Sequence, residues 1–134
     1  MSTILLVEDD AMNRDMIVRY LTREGYDVIS AADGANGVLL ARKARPNLIL
    51  MDMGLPILNG WQATHRLKTE PETRSIPVIA LTAFAMPEDR VKCFAVGCDA
   101  FESKPVNFDR LLSTIEQLLS NDKSAASHPA GLNR

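Results

Sequence analysis

Five short apolar runs recur along the chain: Ile4 to Val7, Val28 to Ala32, Leu48 to Met51, Val78 to Leu81, and a weaker one at Ala100 to Phe101. They are nearly continuous in apolar residues and do not alternate with polar ones, as strands covered on both faces read. Segments of helical period lie between them. Met12, Met16, Ile17, Tyr20 and Leu21 mark a first helix stopped by Gly25, and Val38, Leu39 and Ala41 to Ala44 a second that ends before Pro46. Trp61, Thr64, Arg66 and Leu67 mark a third. Pro87 followed by Glu88 and Asp89 opens a fourth, because proline suits the first helical position and acids favour the positive end of the helix dipole; Gly97 closes it. Asn107 caps a fifth, whose apolar face is Leu111, Leu112, Ile115, Leu118 and Leu119.

Strand and helix thus alternate five times, in units too short to make a second domain. With the usual right-handed crossovers, this predicts an α/β domain with a doubly wound, five-stranded parallel sheet and five helices. The domain is expected to span residues 1–119. Residues 120–134, SNDKSAASHPAGLNR, carry no apolar period and are expected to form a flexible polar tail.

A length of 134 residues suits one domain with its own core, and 46% hydrophobic against 24% charged residues argues against disorder. The net charge of -2 gives no electrostatic footprint for nucleic acid or an anionic membrane. No apolar run approaches the ~18 residues of a membrane span, so the expected location is cytoplasmic. Cys93 and Cys98 read as small buried hydrophobes, and the isolated His65 and His128 make a zinc site improbable.

In open α/β sheets ligands bind beyond the carboxyl ends of the strands, and here those ends are polar. The first strand runs into Glu8, Asp9 and Asp10, the third ends in Asp52, the fourth in Thr82, and the fifth runs into Lys104. Three carboxylates at Glu8, Asp9 and Asp52 disfavour one another's charge unless a pKa rises or a divalent cation joins them. An all-oxygen set suits Mg2+, which is commonly completed by a phosphate. Asp52 is then available as a carboxylate nucleophile toward a phosphoryl group, with Lys104 balancing one phosphoryl oxygen and Thr82 donating to another. Singly, each residue has a plainer reading. Asp10 serves equally as the cap of the first helix, Thr82 as a strand former and Lys104 as a solvated cation. Their joint placement at four strand ends favours the chemical reading.

The same residues carry a family resemblance. ILLVEDD, LILMDMGLP followed by NGW, VIALTA and ESKPV together resemble the receiver domain of two-component response regulators, over residues 3 to 119. The resemblance implies a flavodoxin-like strand order 2-1-3-4-5. It also implies Asp52 as phosphoacceptor, Glu8, Asp9 and Asp52 with the backbone carbonyl of Gly54 as Mg2+ ligands, and Thr82 and Lys104 as phosphoryl contacts. Phe101 stands at the aromatic switch position, where the ring turns into space vacated by Thr82; the alternative is a static core aromatic. A cis Lys104-Pro105 bond is implied as well. Glu8 replaces a commoner aspartate. Gly54 and Phe84 occupy positions that influence loss of the phosphoryl group, and neither side chain can orient water. Phe84, Ala85 and Met86 form a small apolar loop that either contacts a partner or packs inward.

The expected function is therefore a phosphorylatable receiver, charged by a histidine kinase or histidine phosphotransfer protein and catalysing only its own phosphorylation and dephosphorylation. Its downstream protein target would meet the face of helix 4, strand 5 and helix 5. It would be a monomer or weak dimer and touch neither nucleic acid nor membrane. The chain reads as a single-domain regulator, favoured by the strand immediately behind Met1, or as a receiver module from a longer protein such as a hybrid kinase. A phosphorylation-independent binding module is the third reading. An aspartyl phosphatase would carry a second acid where Gly54 stands, and a flavin carrier would need a phosphate-cradling loop where Glu8, Asp9 and Asp10 stand.

Overall fold

A computed structural model describes residues 2–83 and 86–127. Its elements are β1 (Thr3–Val7), α1 (Ala11–Arg23), β2 (Asp27–Ala31), α2 (Gly34–Ala44), β3 (Leu48–Asp52), α3 (Gly60–Thr69), β4 (Val78–Thr82), α4 (Pro87–Ala95), β5 (Ala100–Ser103) and α5 (Phe108–Ser127). The five strands form one parallel sheet in the order β2-β1-β3-β4-β5. Both the topology and the strand order agree with the sequence expectation.

The apolar runs divide by alternate residues between two cores. Leu5, Val7, Ile49, Met51, Val78 and Ala80 face one side, where Val38 and Ala41 of α2, Ala63 and Leu67 of α3, and Cys93 of α4 cover them. Ile4, Leu6, Leu48, Leu50, Ile79 and Leu81 face the other, under Ile17 and Leu21 of α1 and Leu111 and Ile115 of α5. β3 and β4 are buried along their whole length. Burying a large apolar side chain of this kind contributes roughly 1.5–3 kcal/mol. Two unbroken layers of them hold the central strands, and hence the strand ends, in place.

The edge strands depart from the expectation of cover on both faces. Asp27 and Ser30 of β2 are exposed, and only Glu102 of β5 is buried. An edge strand has one neighbour, so the flanking helices do not reach across it. Glu102 lies inside because Arg110 and Thr114 of α5 meet its carboxylate at 3.1 Å each. That acid of the ESKPV motif is a brace between β5 and α5.

The helix boundaries follow local chemistry. Asp10, Asp33, Asn59 and Asn107 each accept the backbone N–H three residues on, satisfying donors that a helix start leaves open. Asn59 and Gln62 complete a reciprocal capping box at α3. Gly25 and Gly97 follow the ends of α1 and α4 at φ +98 and +109.

Several apolar positions assigned to helix faces point outward. Met12 and Met16 are exposed, and Ile17 and Leu21 carry the packing of α1. Leu39 is also exposed, and α2 instead buries Gly34, Gly37, Val38 and Ala41. A Cβ on Gly37 would lie 2.8 Å from Val7, so this helix sits closer to the sheet than a leucine face permits.

The polar tail expected from residue 120 begins as helix, since α5 continues to Ser127. No proline falls between Pro105 and Pro129 to end the helix earlier. Residues 128–134, including His128, lie outside the described residues. Phe84 and Ala85 do also, while Met86 of the same apolar loop is exposed.

Candidate functional site

β1, β3 and β4 end side by side at the carboxyl edge of the sheet and deliver their polar residues to one cleft. Asp52, the last residue of β3, is 5% exposed, and Glu8, just past β1, is 1% exposed. Asp9 projects into solvent beside them. One carboxylate oxygen from each of Glu8, Asp9 and Asp52 falls within 4.8 Å of the others. Three anionic oxygens at that separation, two of them shielded from water, make a donor set suited to a hard divalent cation.

Lys104 reaches into this group from the end of β5. Its Nζ lies 3.1 Å from Glu8 Oε1 and 3.2 Å from Asp52 Oδ2, so one ammonium bridges two buried carboxylates. The Lys104-Pro105 peptide is cis, as the resemblance implied. The Lys104 amide also donates to the Thr82 carbonyl at 2.8 Å, tying the two strand ends together. Burial lowers the affinity of Lys104 for its proton, but the hydrogen bond to Glu8 and the charge of Asp52 outweigh it and hold the pKa above the ordinary lysine range. Burial and the neighbouring Asp52 charge push Glu8 above the ordinary carboxylate range against the pull of Lys104. The cleft therefore holds more negative charge than its single bridging lysine offsets.

Asp10, which the sequence left open between cap and site, caps α1 by accepting from Asn13 N–H at 3.0 Å. Thr82 is buried at the end of β4. Gly54 donates its N–H to Asp52 Oδ1 at 3.0 Å, orienting the carboxylate from the far side. Phe101 is half-buried, packs against the α2/α3 core and carries Arg90 of α4 above its ring, 5.2 Å from the centroid.

The loop from Asp52 to α3 is tightly made. Leu58 N–H donates to the Pro56 carbonyl at 2.8 Å, closing a three-residue turn around Ile57, which sits at φ +68 and is 85% exposed. A β-branched residue at positive φ is strained. Gly60 then brings α3 against the end of β3, where a Cβ would stand 2.3 Å from the Asp52 carbonyl oxygen. No other residue permits so close an approach.

That approach also carries Trp61 to the cleft, a role sequence reasoning missed by treating it as helix face. A cavity of about 420 Å3 is lined by Asp52, Gly54, Trp61, Thr82, Lys92 and Lys104 among others. Lys92 of α4 places its Nζ 4.5 Å from the Trp61 ring centroid. Neither residue has a local signature of such a role, because the contact joins two helices distant in sequence.

The comparisons with known proteins agree with this geometry. Residues 4–116 match the family model of the response regulator receiver domain, and the chain belongs to that family. It is 40% identical over 119 residues to the polar-differentiation response regulator DivK of Brucella anthropi, covering 89% of this chain and 97% of that protein. The receiver domain of the sensor histidine kinase PA1611 from Pseudomonas aeruginosa, solved with a magnesium ion coordinated in its active site cleft, is similar at a TM-score of 0.83 and 36% identity, over 89% of this chain and 98% of that one. The signal receiver domain of a histidine kinase from Syntrophus aciditrophicus superposes with a TM-score of 0.86 at 30% identity, over the full length of both. The chain is thus a receiver domain of two-component signalling, similar in sequence to a response regulator and in structure to receivers carried by kinases.

Proposed function

We propose that Asp52 accepts a phosphoryl group from the phosphohistidine of a histidine kinase or histidine phosphotransfer protein. The observation that carries this reading is the Lys104 ammonium bridging Glu8 and Asp52 at the head of three converging carboxylates. A carboxylate oxygen of Asp52 attacks phosphorus, the new O–P bond forms as the donor's P–N bond breaks, and the imidazole leaves with the electron pair. Lys104 moves its charge from the carboxylates to a phosphoryl oxygen, and Thr82 donates a hydrogen bond to a second. Glu8, Asp9 and Asp52, with the Gly54 carbonyl, would hold Mg2+, which neutralises the charge gathered on the transferring group when bound. The surplus negative charge of the cleft supports that assignment.

Phe101 then serves as the switch, and the face of α4, β5 and α5 as the surface that a downstream protein reads. Met86, Val91 and Phe94 are exposed there at 57%, 69% and 48%, which supports apolar contact with a target. Residues 1–119 form the functional unit, acting in the cytoplasm.

Intact mass after incubation with acetyl phosphate and Mg2+ tests the reading. The parent is expected to gain one phosphoryl group, and Asp52→Ala or the omission of Mg2+ to abolish the gain. No gain in the parent under any condition would make Asp52 a structural acid and the chain a phosphorylation-independent binding module.

A further inference from the structure

α4 is the least anchored helix of the domain. Cys93 is its one buried residue, whereas Val91 and Phe94 are largely exposed. Cation–ring contacts supply much of the rest. Arg90 lies over Phe101 of β5, and Lys92 over Trp61 of α3. The second contact lies in the phosphoryl cleft itself, since Trp61 and Lys92 line the same cavity as Asp52, Thr82 and Lys104. Lys92 makes no salt bridge among the described residues. The carboxylate beside it, Asp89, accepts the Met86 N–H at 3.3 Å and so is engaged in its own helix start.

We propose that Lys92 is a second phosphoryl-binding cation, resting on Trp61 while Asp52 is free and transferring to a phosphoryl oxygen once Asp52 is modified. The inference rests on the receiver reading above and adds to it a residue from α4. The energetics favour the transfer. An ammonium on an exposed aromatic face is weakly held, whereas one hydrogen-bonded to an anionic phosphoryl oxygen in a half-enclosed cleft is held by a charge-assisted bond of about twice the ordinary strength. Lys104 brings one positive charge to a phosphoryl group that carries roughly two negative ones, so a second cation has a place there. Lys92 has no salt-bridged carboxylate to leave among the described residues, since Asp89, which lines the same cavity, is engaged by the Met86 N–H. Movement of Lys92 draws α4 toward the cleft and shifts Arg90, two residues earlier, relative to the Phe101 ring. The charge change at Asp52 thereby reaches the switch residue from the helix side as well as through Thr82.

The chain has a single tryptophan, so its tryptophan emission comes from Trp61 in the cleft, and comparison with Lys92 variants isolates the part due to Lys92. Emission of the full chain would be recorded with Mg2+, before and after beryllofluoride, a phosphoryl mimic, and its affinity measured by calorimetry. Intact mass after acetyl phosphate would be taken on the same samples. The parent is expected to gain the phosphoryl mass and to change its emission on mimic binding. Lys92→Met is expected to lose the emission change and to bind the mimic roughly tenfold more weakly. Lys92→Arg, which keeps the cation, is expected to restore both. A Lys92→Met protein, or Lys92→Ala should the first not fold, that matches the parent in emission change and affinity would overturn the role of Lys92 alone. Absence of the mass gain in the parent would overturn the receiver chemistry and this inference with it.

Discussion

The strand ends and the fourth helix meet at the same cleft but are held in opposite ways. Glu8, Asp52 and Thr82 stand at the ends of central strands walled by leucine, isoleucine and valine on both faces. α4 rests on one cysteine and two cation–ring contacts. The first arrangement fixes carboxylates where water would otherwise scatter them; the second leaves a helix held by little buried apolar area. Preorganisation and response are thus assigned to different elements, divided by how much apolar area each buries.

Breaking the rigid side has the largest expected effect. Leu50→Ala empties a fully buried site between β3 and the α1/α5 layer and is expected to cost about 2–5 kcal/mol in denaturant unfolding. Phe94→Ala on α4 is expected to stay within about 0.5 kcal/mol. Equal losses would erase the contrast. Next comes the junction behind Asp52. Gly60→Ala puts a Cβ 2.3 Å from the Asp52 carbonyl oxygen, and is expected to cost roughly 2 kcal/mol or more and to slow acetyl phosphate labelling. Retained stability and labelling would show that α3 does not position the end of β3.

Ile57→Gly acts in the opposite direction. The residue is 85% exposed at φ +68, so glycine relieves strain while giving up little burial. The expected gain is about 1 kcal/mol at the unfolding midpoint, and a loss would mean that Ile57 packs in solution. The smallest effect is kinetic. Burial pushes the Cys93 thiol up to about 11 and Cys98 to about 12, so at pH 8 both are protonated in the closed protein and become reactive thiolates there only as pH climbs toward those values. At pH 8 a thiol reagent is expected to label Cys93 slowly, through openings of α4 that precede global unfolding. Labelling that tracks global unfolding alone would show that α4 is as firmly held as the sheet.

The regularity of the apolar runs made the sheet legible, and the polar residues at their ends made Glu8, Asp9, Asp52, Thr82 and Lys104 visible as one group. Both signals are local: a strand's period and the residue after it. What escaped notice depends on contacts across the fold. Lys92 and Trp61 meet only because Gly60 presses α3 onto β3, and nothing near either residue in sequence announces it. The outward turn of Met12, Met16 and Leu39 escaped for a related reason, since helical period gives a face but not the extent of the layer that covers it. Asp10 was ambiguous because a capping acid and a site acid look alike until the Asn13 amide is placed.

Hydrogen–deuterium exchange across the chain, with Mg2+ and with or without acetyl phosphate, tests the division between fixed and responsive elements most directly. Phosphorylation is expected to alter exchange in α4 and β5 while amides of β1, β3 and β4 stay as protected as before. A change spread evenly over sheet and helices, or one that leaves α4 untouched in protein shown by mass to be phosphorylated, would contradict that division.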